Sequence, residues 1–218
     1  MSAAGIRGKV RLSKAKPDHD RCFLSPFESL SLSLNGFFLR DDFLGQAVCS
    51  RVRSEVVRKV NSQSLRQAGI GREQKVDTSI RGDQFCWMEK SEAGPGIREL
   101  MSHLELLRKS INREFYLGLD RFEMQLAHFA PGSGGYKKHL DAFKGRNPRN
   151  RRLTTIYYLN RGWQHGDGGE LSIDLKGQDV LIEPVADRLV VFFAEQLEHA
   201  VLPNQKSRLA LTSWFHSP

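Results

Sequence analysis

His139 and Asp141 stand two residues apart in Tyr136-Lys137-Lys138-His139-Leu140-Asp141. On an extended segment that spacing projects an imidazole and a carboxylate from the same face. One further ligand would complete the two-histidine, one-carboxylate set that holds non-haem Fe(II) and leaves three coordination positions open. His199, in Glu198-His199-Ala200-Val201, is the candidate, because an antiparallel roll can bring its strand beside that of His139. A second pair of the same form, His165-Gly166-Asp167, lies in the Gly-rich connection Gln164–Gly169 with no strand before it, and reads as a hairpin turn.

Arg208 follows His199 by nine residues, after a turn at Pro203-Asn204, and opens the last apolar run. An arginine aimed into an apolar roll is costly unless it meets an anion, and a planar guanidinium grips a carboxylate in bidentate fashion. Tyr158, in Ile156-Tyr157-Tyr158-Leu159-Asn160, can add a second hydrogen bond to that carboxylate. Together these residues describe a metal centre with a dicarboxylic acid held beside it.

The elements that must position them divide the chain at about Arg121. Before it, Gly36-Phe37-Phe38-Leu39, within Asn35 to Leu44, reads as a strand running into Asp41-Asp42, two acids suited to starting a helix. Ala47, Val48, Val52, Val56 and Val60 recur at helical spacing, predicting a helix that ends near Asn61. Residues Ser62 to Thr78 are polar and read as a finger loop; Ile80 to Met88 resumes as a strand. Pro95 then opens a second helix with the stripe Ile97, Leu100, Met101, Leu104, Leu107 and Ile111. After Arg121 come eight short runs of strand character, separated by Gly, Pro and Asn turns: Phe122–Phe129, Tyr136–Leu140, Leu153–Leu159, Glu170–Leu175, Val180–Ile182, Leu189–Phe193, His199–Leu202 and Arg208–Trp214. The expected fold is α+β and mainly β, a jelly roll over residues 121–218 buttressed by the helices and finger of residues 36–120.

Composition agrees with a single domain. Of 218 residues, 39% are hydrophobic and 27% charged, which excludes a disordered or collagen-like chain. The longest greasy stretch, Phe23 to Leu39, is broken by Pro26, Glu28, Asn35 and Gly36, so no membrane span is expected. Three cysteines without CxxC spacing argue against a disulfide framework and for a reducing, cytoplasmic setting. The net charge of +8 invites a nucleic-acid reading, but +5 of it falls in residues 1–17, within a basic tail spanning residues 1–20. A second cluster, Lys137, Lys138, Lys144, Arg146, Arg149, Arg151 and Arg152, lies beside the metal candidates and would favour an acidic target.

From Asp77 onward the sequence resembles the Fe(II)- and 2-oxoglutarate-dependent oxygenases of the prolyl 4-hydroxylase superfamily, nearest the branch of animal oxygen-sensing hydroxylases and their bacterial relatives. The matching stretches are Ile80-Arg81-Gly82-Asp83 with Trp87, Pro131-Gly132 leading to Tyr136–Asp141, Thr155 to Trp163, Gly168-Gly169-Glu170-Leu171, Glu183-Pro184 with Asp187-Arg188-Leu189, and Arg208 to Trp214. The resemblance implies a double-stranded β-helix in which His139, Asp141 and His199 bind iron and Arg208 and Tyr158 hold 2-oxoglutarate. It further implies that Ile156, Leu171 and Val201 line the cosubstrate pocket, that Asp83 pairs with Arg151, and that Tyr136 and Trp214 face the substrate. Implied cosubstrates are 2-oxoglutarate and O2, with ascorbate as reductant. The implied reaction hydroxylates a prolyl residue in a protein and releases succinate and CO2. The partner would be a protein with an exposed, acidic, proline-containing loop, following relatives that act on elongation factor Tu or on a transcription factor. A monomer without membrane or nucleic-acid partners is expected. The alternatives are an oxidative nucleic-acid demethylase of the same superfamily and a silent 2-oxoglutarate-sensing module. One departure stands out: many relatives carry a tyrosine just before the Pro-Gly turn, where this chain has Phe129 and Ala130.

Overall fold

A computed structural model describes residues 23–70, 75–142 and 151–218. The basic tail (1–20), the tip of the finger (71–74), and Lys144, Arg146 and Arg149 of the basic cluster lie outside the described residues.

The N-terminal part contains α1 (Pro26–Asn35), β1 (Phe37–Arg40), α2 (Gln46–Asn61), the short strands β2 (Arg66–Gln67), β3 (Gly69–Ile70) and β4 (Lys75–Val76), then β5 (Gln84–Trp87) and α3 (Pro95–Phe115). The eight expected strands follow as β6 (Arg121–Phe129), β7 (Tyr136–His139), β8 (Arg151–Tyr158), β9 (Leu171–Leu175), β10 (Gln178–Ile182), β11 (Leu189–Phe193), β12 (His199–Val201) and β13 (Arg208–His216). They form a seven-stranded sheet, β1-β11-β8-β13-β6-β5-β2, facing a four-stranded sheet, β10-β9-β12-β7. Apart from the β9–β10 hairpin, which stays within the small sheet, consecutive strands from β6 to β13 alternate between the two sheets, as in a jelly roll.

Period-two alternation gives the large sheet two different faces. On its outer face Leu126, Leu153, Tyr157, Val191, Leu211 and Phe215 join one core with the helices. On its inner face Ile156, Tyr158, Val190, Phe192 and Ala210 meet Leu171 and Ile173 of the small sheet in a second core. Strands buried on both sides carry near-continuous apolar runs, which is why Leu189–Phe193 contains no polar residue.

The helices are a support layer. The six stripe residues expected on the second helix are all buried in α3. Full burial of each leucine contributes roughly 1.5–3 kcal/mol. The N-terminus of α3 has no capping side chain of its own. Glu55 of α2 supplies one: its carboxylate accepts from Gly96 N at 2.8 Å and Ile97 N at 3.1 Å, joining the two helices.

Three expectations need correction. Asp41 and Asp42 do not start α2, whose N-cap is Gly45. Asp41 instead forms a bidentate pair with Arg188 at 2.6 and 3.0 Å, and Asp42 takes a left-handed turn at φ 51°. The strand expected at Gly36–Leu39 appears as Phe37–Arg40, but before it stands an unforeseen helix, α1, with a capping box between Ser25 and Glu28. Within the finger, β3 and β4 pair as a small ribbon, while β2 adds to the edge of the large sheet through β5. No helix among the described residues is long and apolar enough to cross a membrane.

The burial contrast within α3 is testable by denaturant unfolding. Leu104→Ala, at a 1% exposed position, should cost about 2–5 kcal/mol. Leu106→Ala, at a 46% exposed position, should change stability by less than about 0.5 kcal/mol.

Candidate active site

The register of the small sheet settles how His139 and His199 meet: β7 and β12 pair antiparallel with these two residues directly opposite. Their rings lie 4.4 Å apart. Each Nδ1–H donates to a backbone carbonyl, His139 to Lys137 at 2.8 Å and His199 to Leu197 at 3.1 Å. Both Nε2 atoms are thereby turned towards Asp141, each 3.7 Å from one of its carboxylate oxygens. One ligand atom from each of the three residues falls within 4.8 Å of the others. Two imidazole nitrogens and one carboxylate oxygen in this arrangement suit Fe(II). Burial would raise the Asp141 pKa, but the imidazoles of His199 and His139 outweigh it and hold the carboxylate ionised. Burial lowers the pKa of His199, keeping the ring in its neutral, ligating form.

Neighbours fix the ligands. Thr154 on β8 donates its hydroxyl to Asp141 Oδ2 at 2.8 Å, in a fully buried bond. The Tyr136 ring stacks on His139 at 3.8 Å, and Phe192 meets His199 edge-on at 4.7 Å. Sequence reading missed Thr154. Its signal is period two in β8, which sets Thr154, Ile156 and Tyr158 on one face.

Below the triad lies a cavity of about 380 Å³. Its floor-to-mouth wall on β13 is Arg208, Ala210, Thr212 and Trp214, paired across to Phe129, Ala127, Gln125 and Glu123 of β6. Space exists at mid-depth because two alanines, Ala127 and Ala210, face each other there. Ile156, Leu171 and Val201 line the cavity as expected, and so do Asp83, Arg151, Tyr136 and Trp214.

Arg208 is 2% exposed. Its Nε–H donates to Gly169 O at 2.7 Å and its Nη2 approaches the Tyr158 hydroxyl at 3.4 Å. The guanidinium lies 5.2 Å from the Phe129 ring and 5.1 Å from the Tyr158 ring. No carboxylate among the described residues comes within ion-pair distance of it. Burial lowers its pKa, while Tyr158 and Asp83 act the other way. A buried cation so placed needs an anion from outside the chain, and a dicarboxylic acid fits both this floor and the metal ligands above it. Tyr158 is fully buried and absent from the cavity wall. Its hydroxyl lies beside the guanidinium.

The Asp83–Arg151 pair implied by resemblance does not form. Asp83 is held bidentate by Arg81, two residues away, at 2.7 and 3.0 Å, and Arg81 also reaches Gln125 Oε1 at 2.9 Å. Arg151 instead donates to Glu123 at 2.8 and 3.2 Å, and its guanidinium lies 3.7 Å above the Trp214 ring. Arg81 is the nearer cation, and Glu123 offers Arg151 a carboxylate from β6, across the intervening β13. The basic cluster is also largely compensated where described: Lys138 meets Asp174 and Asp179, and Arg152 meets Glu195. The decoy His165 is 97% exposed, and its neighbour Asp167 pairs with Lys206.

The geometry is matched by relatives. A profile described as the 2OG-Fe(II) oxygenase superfamily matches residues 124–216. The crystal structure of a Pseudomonas putida prolyl-4-hydroxylase superposes with a TM-score of 0.79 at 33% identity, covering 88% of this chain and 98% of that one. The chain belongs to the 2OG-Fe(II) oxygenase superfamily, on its prolyl hydroxylase branch. A Trichoplax adhaerens prolyl hydroxylase, solved with a hypoxia inducible factor oxygen degradation domain peptide fragment, is 29% identical with a TM-score of 0.79 and 87% coverage of both chains. Human Egl nine homolog 1 is 34% identical over 194 residues, 84% of this chain, and the chain spans 44% of that relative's length. Membership of this superfamily brings Fe(II) and 2-oxoglutarate, which agrees with the donor set and with a buried guanidinium that meets no carboxylate among the described residues.

The Thr154–Asp141 hydrogen bond should matter to the metal. Thr154→Val, nearly isosteric, should weaken Mn(II) or Fe(II) affinity by about tenfold or more while the protein stays folded. Titration of the apoprotein checks this, and unchanged affinity would remove Thr154 from the site.

Proposed function

We propose that the protein hydroxylates a prolyl residue of another polypeptide, using Fe(II), 2-oxoglutarate and O2, with release of succinate and CO2. One observation carries the reading: a single cavity has the His139-Asp141-His199 set above it and an anion-seeking Arg208 at its floor.

In this reading His139, Asp141 and His199 hold the iron through Nε2, a carboxylate oxygen and Nε2. Arg208 takes the distal carboxylate of 2-oxoglutarate with the donors left after Gly169 and Tyr158, and Ile156, Leu171 and Val201 pack along its chain. When bound, iron and 2-oxoglutarate supply the oxidative chemistry that inserts one oxygen atom of O2 into an unactivated C–H bond. The apolar walls keep water away, and Thr154 holds Asp141 so that its free oxygen stays directed at the metal. Ascorbate is the proposed reductant for maintaining Fe(II).

Support for a prolyl substrate comes from the mouth as well as from the relatives. Trp214, Trp87 and Tyr136 line it, with the half-exposed Trp87 edge-on to Trp214 at 5.9 Å. A pyrrolidine ring packs well on such surfaces. Asp83, Arg81 and Arg151 provide polar contacts for the peptide backbone around it. The acidic character expected of the target rests on Lys137 and on residues outside the described ones, because Lys138, Arg151 and Arg152 already have carboxylate partners.

The test is mass spectrometry of a host extract incubated with protein, Fe(II), 2-oxoglutarate and ascorbate. One oxygen should be gained on a proline, and His199→Ala should abolish both that gain and succinate formation. Oxygen gained only on other residues, or methyl loss from nucleic acid, would overturn the assignment.

A further inference from the structure

The second His-x-Asp pair of the sequence has no place in the metal centre, yet its loop is built against Arg208. From Trp163 to Gly169 the chain turns tightly: Asp167 N–H donates to Gln164 O at 3.0 Å, and Asp167 Oδ2 accepts from Gln164 N at 2.7 Å. Gly168 and Gly169 both take left-handed conformations, at φ 74° and 68°. The loop is then laced to the segment that leads into Arg208. Gln205 N–H donates to Asp167 O at 2.8 Å, Gly169 N–H to Pro203 O at 2.8 Å, and Lys206 Nζ to Asp167 Oδ2 at 2.8 Å.

Two successive carbonyls of this turn point to different partners. The Gly168 carbonyl accepts from the indole Nε1–H of Trp163 at 3.0 Å, and the Gly169 carbonyl accepts from Arg208 Nε at 2.7 Å. Trp163 is 9% exposed, so that bond is sheltered from water. There is no slack around the second glycine. A Cβ on Gly169 would lie 3.0 Å from Arg208 Cδ, 3.1 Å from Asn204 Cβ and 3.2 Å from Trp163 Cζ2. The Gly169 carbonyl is the shortest hydrogen bond to Arg208, against 3.4 Å for Tyr158. The Gly169 carbonyl lies in the next peptide, Gly169–Glu170, so the orientation of the Gly168–Gly169 peptide reaches the guanidinium through the closely packed Gly169.

We infer that Trp163 is a positioning residue for the cosubstrate. Its indole N–H locks the Gly168 carbonyl, and the adjoining Gly169 carbonyl then holds Arg208 with its remaining donors directed up the cavity. This rests on the proposed role of Arg208 as the carboxylate anchor. Trp163 is neither one of the metal-ligand candidates nor a residue lining the cavity. Its loss should consequently be felt by a dicarboxylic 2-oxo acid and not by the metal.

The experiment titrates Mn(II) into apoprotein, and 2-oxoglutarate into Mn(II)-loaded protein, by calorimetry. Trp163→Phe, which keeps an aromatic ring, though a smaller one, and removes the N–H, should weaken 2-oxoglutarate binding by about three- to tenfold, the effect of one modest hydrogen bond. Mn(II) affinity should stay within about twofold, as expected when the site altered lies away from the ligands. Gly169→Ala, which displaces Arg208 from the other side, should give the same split and provides the decision if the tryptophan variant does not fold. Wild-type 2-oxoglutarate affinity in a folded variant would overturn the role, and so would a parallel loss of Mn(II) affinity, which marks general loosening. An Arg208→Ala arm separates the two levels. If it binds 2-oxoglutarate like wild type, the anchor itself fails; if it loses binding while Trp163→Phe does not, only the positioning role fails.

Discussion

The organising constraint in this protein is a guanidinium buried without a counter-charge. Arg208 sits at the floor of the roll with one carbonyl, one long hydroxyl contact and two aromatic rings around it. Desolvating such a cation costs several kcal/mol, and no carboxylate among the described residues offsets it. The arrangement makes sense only as half of a pair whose other half is a ligand. Much of the surrounding architecture then follows. The Ala127–Ala210 pair keeps the space above the cation open, and Phe129 offers it a ring face.

The metal ligands obey a complementary logic. They come from the small sheet and the loop after β7, whereas Arg208 comes from the large sheet, so the cavity is bounded by opposite walls of the roll. Cross-strand pairing of His139 with His199 sets their separation through backbone geometry and leaves little to side-chain flexibility. Carbonyls fix the tautomers and Thr154 fixes the carboxylate. The helices contribute nothing to the chemistry directly. They cover the outer face of the large sheet, so that its inner face can be given over to a cavity, and Glu55 ties them to one another.

The C-terminal half was legible because each strand is a compact apolar run and each connection carries Gly, Pro or Asn, so all eight strands appear where expected. The two long helices were legible from their valine and leucine stripes. Helix α1 was not: Leu30-Ser31-Leu32-Ser33-Leu34 alternates with period two, and only Leu32 is buried. Its Ser25–Glu28 capping box was the available signal. The triad and Arg208 could be read from spacing and residue type, since few other patterns demand an arginine inside an apolar roll. Polar pairings were less legible. Asp83 pairs with Arg81 in place of Arg151, because choices among nearby partners depend on distances of an ångström that spacing does not encode.

The central claim is that Arg208 and the triad form one site measuring the length of a 2-oxo acid. The most direct measurement titrates pyruvate, oxaloacetate, 2-oxoglutarate and 2-oxoadipate into the Mn(II)-loaded protein. Affinity should peak at 2-oxoglutarate and be weakest for pyruvate, which has no second carboxylate. Pyruvate binding as tightly as 2-oxoglutarate would contradict the account, because the buried guanidinium would then have no part in holding the ligand.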